Sequence, residues 1–123
     1  MLSLMGFTQL RAQETLTVYD GTSTNQYVPM YGYYADTQGI LSEFVIPAAD
    51  LAGIDGATIT ALKFYSSDAS VNFGAAQFKV YLKEVADGAL NTAFSGDADA
   101  TTVYTGSLSI SSNEMDIQFS KEY

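Results

Sequence analysis

Apolar and polar residues alternate through the stretch Asn113-Glu-Met-Asp-Ile-Gln-Phe-Ser120. Alternation with a period of two places successive side chains on opposite faces of a β-strand. Met115, Ile117 and Phe119 would therefore face a core, and the intervening Glu114, Asp116, Gln118 and Ser120 would face solvent. This stretch predicts a half-buried strand of an antiparallel sheet.

The same alternation, less regular, recurs upstream in residues 15–19, 40–46, 58–65, 77–85 and 101–110. Turn-forming pairs lie between these runs, namely Asp20-Gly21, Asp55-Gly56, Asp87-Gly88 and Ser95-Gly96. Pro47 and Gly53 bracket one expected helical turn. We predict an all-β chain folded as an antiparallel β-sandwich, jelly-roll-like in arrangement, although an immunoglobulin-like sandwich fits the same pattern.

Composition excludes several classes of function. The chain of 123 residues carries 14 acidic and 5 basic side chains, a net charge of −9, which disfavours nucleic-acid binding. It has no Cys and no His, so thiolate nucleophiles, Ser-His triads and the commonest zinc sites are excluded. No pair of carboxylates has a special local setting, so we expect neither an enzyme nor a cofactor.

The amino-terminal residues 1–13 differ from the rest. The apolar run Met1-Leu-Ser-Leu-Met-Gly-Phe7 is too short to span a bilayer and is typical of the end of a secretory signal peptide. We expect cleavage near Ala12 or Gln13, a module over residues 14–123, and an extracellular or outer-surface location. The alternative is a loosely packed amino terminus.

Several segments together are similar to a known group of modules. They are Val18-Tyr-Asp-Gly-Thr-Ser-Thr-Asn-Gln-Tyr-Val-Pro-Met-Tyr-Gly-Tyr-Tyr34, Ser42-Glu-Phe-Val-Ile-Pro47, Ala57-Thr-Ile-Thr-Ala-Leu-Lys-Phe-Tyr65, Phe78-Lys-Val-Tyr-Leu-Lys-Glu-Val85 and Val103-Tyr-Thr-Gly-Ser-Leu108. In this order they resemble the N-terminal β-sandwich module of secreted and cell-surface proteins from Gram-negative anaerobes that use type IX secretion.

The resemblance implies a non-catalytic extracellular module with an adhesion, glycan-binding or protein-binding role, its partner a surface glycan or a host or matrix protein. A structural spacer is the alternative, as is an accessory module of a secreted peptidase or glycoside hydrolase. Modules of this group continue beyond a segment like Phe119-Ser-Lys-Glu-Tyr123, so we expect a fragment that is incomplete at the C-terminus.

Two sets of side chains are candidates for binding. Tyr27, Tyr31, Tyr33 and Tyr34 could stack on a sugar or contact a protein, although aromatic residues in strands usually pack inside. Asp97 and Asp99 are weak calcium candidates, and solvated turn carboxylates are the alternative. Lys63, Lys79 and Lys83 are expected on outward faces, where they would discourage edge pairing.

Overall fold

The computed structural model describes residues 14–19, 21–31, 39–86 and 88–123. Its strands within these ranges are β1 (Ala61–Tyr65), β2 (Ser70–Asn72), β3 (Phe78–Leu82), β4 (Thr101–Gly106), β5 (Ser109–Ser111) and β6 (Glu114–Gln118). A short 3₁₀ helix, Ala48–Ile54, precedes them. The strands form two antiparallel sheets, so the prediction of an all-β, sandwich-like fold is confirmed. The jelly-roll arrangement and the incomplete C-terminus stay predictions.

The larger sheet has the strand order β1-β6-β5-β2. In its central pair, Leu62 lies opposite Ile117 and Phe64 lies opposite Met115. Cross-strand pairs of this kind stabilise a sheet by packing on one face. The alternation in 113–120 is therefore confirmed, since Met115 and Ile117 are buried while Asp116 and Gln118 on the other face are exposed.

The smaller sheet pairs β3 with β4 and contains a β-bulge. Val80 lies opposite Tyr104 and Tyr81 opposite Thr102, which leaves Val103 as the extra residue. Val103 is fully buried, and its carbonyl accepts hydrogen bonds from the Ser120 N–H at 2.8 Å and the Ser120 hydroxyl at 3.1 Å. A bulge leaves one residue outside the hydrogen-bonded ladder. The Val103 carbonyl can therefore accept hydrogen bonds from the chain that follows β6, and these bonds link β4 to that chain.

The hydrophobic core lies between the sheets. Its buried cluster consists of Phe73, Ala76, Met115 and Ile117, and Phe73 meets the half-buried Phe78 edge-on with ring centroids 5.5 Å apart. The half-buried residues packed around this cluster include Met30, Leu62, Phe64, Val71, Val80, Tyr104, Leu108, Ile110 and Phe119. Apolar burial from both sheets is the main source of stability for such a fold.

The structure differs from the sequence prediction at several elements. Residues 15–19 and 40–46 form no strand, although both alternate. The run 101–110 is divided into β4 and β5 at Ser107 and Leu108. The helical turn is confirmed, but it continues through Gly53 and ends at the Asp55-Gly56 turn, where Gly56 has a φ of +72°. The expected signal-peptide remnant, residues 1–13, lies outside the described residues.

Candidate functional site

Two tyrosines lie side by side in the segment 21–31, which contains no strand or helix. The rings of Tyr27 and Tyr31 have centroids 5.8 Å apart and planes inclined by 34°. Tyr27 is 61% exposed and Tyr31 is 37% exposed. We call these two residues the tyrosine pair. Tyr33 and Tyr34, the other two tyrosines of the predicted set, lie outside the described residues.

Contacts with the core and within the backbone fix the loop that carries the tyrosine pair. Met30, which lies between the two tyrosines in sequence, is half-buried and packs against the core cluster. The backbone N–H of Tyr27 donates a 2.7 Å hydrogen bond to the side-chain oxygen of Asn25, which closes a short Asx turn. The Val28–Pro29 peptide bond is cis. The pair is thus held on the core by Met30 while both rings reach solvent.

The two calcium candidates are differently placed. Asp97 forms an ion pair with Lys79, and the hydrogen bond from that ammonium group holds the pKa of Asp97 below its usual value. Asp99 is exposed and has a φ of +59°. In the part of the chain that the structure describes, no three acidic side chains come together as a metal site. Lys79 already offsets the charge of Asp97, which disfavours a cation there, and the calcium interpretation stays a prediction.

Glu43 is the residue of this region that sequence reasoning missed. Its carboxylate accepts hydrogen bonds from the Tyr81 hydroxyl at 2.6 Å, and from the backbone N–H groups of Ser95 and Gly96, both at 2.8 Å. The Ser95 hydroxyl adds a longer contact of 3.4 Å. These donors, with Tyr81 first, lower the pKa of Glu43, because hydrogen bonds to the charged form favour it.

Lys83 contacts the backbone carbonyl groups of the segment 95–98, whose N–H groups at Ser95 and Gly96 bond to Glu43. Its ammonium lies 3.5 Å from the carbonyl oxygen of Ser95 and 3.3 Å from those of Gly96 and Ala98. Lys79, Tyr81 and Lys83, at alternate positions along and just after β3, therefore all bond to Glu43 or to residues 95–98. The prediction that Lys79 lies outward is confirmed, and it also has a specific partner in Asp97.

The outer face of the larger sheet carries further polar groups. Lys63 and Glu114 form an ion pair of 3.1 Å, and the side-chain amide of Gln118 donates to Asp116 at 2.6 Å. A shallow depression of about 230 Å³ lies beside them, lined by Tyr104, Ser107, Leu108, Ser109, Ser111, Glu114 and Asp116. Each of its two carboxylates is paired with a neighbouring side chain, Glu114 with Lys63 and Asp116 with Gln118.

Comparisons of this chain with protein families, with curated proteins and with solved structures found no match. Within the described ranges, no helix has the length and apolar character needed to cross a bilayer.

Proposed function

We propose that this protein is a non-catalytic, extracellular carbohydrate-binding module that contacts its ligand through the tyrosine pair. The observation that carries this proposal is the side-by-side exposure of Tyr27 and Tyr31 on a loop fixed to the core. Aromatic rings with an apolar face and a polar hydroxyl suit the alternating apolar and hydroxyl surfaces of a sugar.

The fixed loop makes this pair suited to binding. A tyrosine loses little conformational entropy on contact, because it has few rotatable bonds, and Met30 already orders the backbone between the two rings. With centroids 5.8 Å apart and planes inclined by 34°, the two rings together offer one aromatic surface to a sugar ring.

Charge narrows the class of ligand. The chain carries −9, so a polysaccharide rich in uronate or sulfate would be repelled over distances of about 10 Å at moderate salt. A neutral glycan incurs no such penalty. We therefore propose neutral oligosaccharides as the ligands, and the resemblance to surface modules of Gram-negative anaerobes supports an extracellular setting.

An array of neutral oligosaccharides identifies the best ligand of the parent protein. Isothermal titration with that ligand then compares the parent with Tyr27→Ala and Tyr31→Ala. Tyr65→Ala is the matched control, because Tyr65 is an exposed tyrosine that belongs to β1 and not to the pair. Each variant of the pair should weaken binding about tenfold, the effect of losing about 1.4 kcal/mol, and the control should bind like the parent.

Two results would overturn the proposal. A folded parent protein that binds no glycan of the array would favour the spacer role. A large loss of unfolding free energy in Tyr31→Ala would show that Tyr31 serves packing, as aromatic residues often do.

A further inference from the structure

The Asx turn beside the tyrosine pair fixes the orientation of the Asn25 carboxamide. Its Oδ1 accepts the backbone N–H of Tyr27 at 2.7 Å. The Nδ2 amino group, which carries two hydrogen-bond donors and accepts none, is therefore the end of the side chain that remains for a ligand. Asn25 is exposed, and no other residue in the described part of the chain bonds to this amino group.

Asn25 and the tyrosine pair belong to one bend of the chain. The bend runs through residues 26–29 and brings the rings of Tyr27 and Tyr31 to a centroid distance of 5.8 Å. Val28, in the same bend, is 40% exposed and adds a branched apolar side chain. Within residues 25–31, an oriented pair of donors thus accompanies two aromatic rings and one exposed aliphatic group.

This segment carries no charge of its own. Residues 21–31 contain no Asp, Glu, Lys or Arg, in a chain that has 14 acidic and 5 basic residues. A ligand is consequently recognised here by hydrogen bonds and apolar contact. Because the free end of Asn25 offers donors alone, the ligand group that meets it must accept a hydrogen bond, and an ammonium group, which also has only donors, would leave it unpaired.

We propose that the tyrosine-pair site selects a neutral sugar that carries an acetamido group, whose carbonyl oxygen accepts a hydrogen bond from Asn25 Nδ2 and whose methyl group packs on Val28. The inference rests on the proposed glycan-binding function and narrows its ligand. An acetamido group joins a strong acceptor to an apolar methyl, which matches both side chains. The hydroxyl that replaces it in a plain hexose has no apolar part.

Two trimers of the same linkage test the selection by isothermal titration with the full chain. One is built of N-acetylglucosamine and the other of glucose, so they differ only in carrying an acetamido group or a hydroxyl at one ring position. The parent should bind the N-acetylglucosamine trimer about tenfold more tightly than the glucose trimer.

Asn25→Asp isolates the amino group. The carboxylate still accepts the Tyr27 N–H, so the turn is retained, but the donors to the ligand are lost. We expect the preference for the N-acetylglucosamine trimer to fall from about tenfold to about twofold, the part that the Val28 contact retains. Val28→Thr, which replaces one methyl with a hydroxyl, should reduce the preference about threefold.

Asn72→Asp is the matched control for Asn25→Asp. The Oδ1 of Asn72 accepts the Gly74 N–H at 2.9 Å in the same kind of turn, but Asn72 lies at the end of β2. This variant adds the same charge and should keep the parent's preference between the trimers. Urea midpoints of both variants should match that of the parent, because each turn keeps its acceptor.

The outcomes separate this inference from the glycan proposal. Equal affinity of the parent for the two trimers would overturn the inference and leave the glycan proposal in place, because a glycan is still bound. A preference that Asn25→Asp leaves intact would do the same. A parent that binds neither trimer would also overturn the inference, and the oligosaccharide array then decides whether the glycan proposal fails with it.

Discussion

The hydroxyl of Tyr81 donates a 2.6 Å hydrogen bond to the carboxylate of Glu43, which lies 38 residues earlier in the chain. Glu43 belongs to a segment that forms no strand, so this bond, together with the edge-on contact of Phe44 with Phe64 at 5.9 Å, fixes that segment against both sheets. Side chains thus replace the ladder hydrogen bonds that a strand would have made.

Tyr81→Phe should lower the free energy of unfolding by about 1 kcal/mol. The substitution removes one hydrogen bond to a charged acceptor and leaves the ring in place. Urea denaturation measures the change from the shift in midpoint. Tyr65→Phe, at an exposed position, is the control and should be neutral; an equal loss in both variants would contradict the importance of the Tyr81 bond.

Lowering the pH should remove the contribution of Glu43 to the free energy of unfolding. Its pKa is lowered in the folded state, chiefly by the Tyr81 hydrogen bond, so its stabilisation is complete above the usual value of 4.5 and is lost as the pH falls through the lowered pKa. The difference in unfolding free energy between the parent and Glu43→Gln should therefore be largest near neutral pH and shrink below pH 4.5. A difference that is constant across this range would disprove the assignment.

In a titration with base, Tyr81 should ionise at a higher pH than an ordinary tyrosine. Burial, followed by the Glu43 hydrogen bond, raises the pKa of Tyr81 to about 12. The phenol is neutral and bonded below its ordinary value of 10.0, and its stabilisation is lost as the pH rises through about 12. Phenolate absorbance should show a component near pH 12 that disappears in Tyr81→Phe and persists in Tyr65→Phe.

Val103→Ala should destabilise the protein by about 1–3 kcal/mol, because it removes two methyl groups from a fully buried site at the bulge and leaves a cavity. Thermal and urea unfolding measure the loss. Val85→Ala makes the same chemical change at an exposed position and should have a small effect. Similar losses at both positions would mean that burial at the bulge is unimportant.

Gly106→Ala should also destabilise, by about 1–3 kcal/mol. Gly106 has a φ of +151°, and an added Cβ would lie 3.0 Å from the hydroxyl oxygen of Tyr104. Moving that hydroxyl aside would strain its hydrogen bond to the Ser107 carbonyl. Gly53→Ala is a suitable comparison, since its added Cβ would meet only the flexible end of Leu16, at 3.4 Å. Tolerance of Gly106→Ala would refute this account.

The sequence predicts a strand correctly where alternation coincides with a partner strand. Phe64 and Met115 alternate with polar neighbours, and they face each other across β1 and β6. Residues 15–19 and 40–46 alternate as well, yet in the described chain they form no strand and no ladder with another segment. Alternation indicates which side chains share a face. A strand also needs a second strand to hydrogen-bond with, and the pattern of one segment does not show where that second strand lies.

The contacts of Glu43 were beyond the reach of sequence reasoning for a related reason. Its donors come from β3 and from Ser95 and Gly96, which lie far along the chain, and two of them are backbone groups without a residue signature. The outward position of Lys79 was readable from alternation, whereas Lys83 is half-buried against the backbone of residues 95–98. Their partners, by contrast, depend on how residues 95–98 fold back over β3.

The chain beyond β6 touches both sheets within a few residues. Phe119 donates its N–H to Thr60, Ser120 bonds to Val103, and Tyr123 exchanges two backbone hydrogen bonds with Ile59. A mechanical pull applied at Tyr123 would consequently be shared between the sheets instead of peeling one strand away.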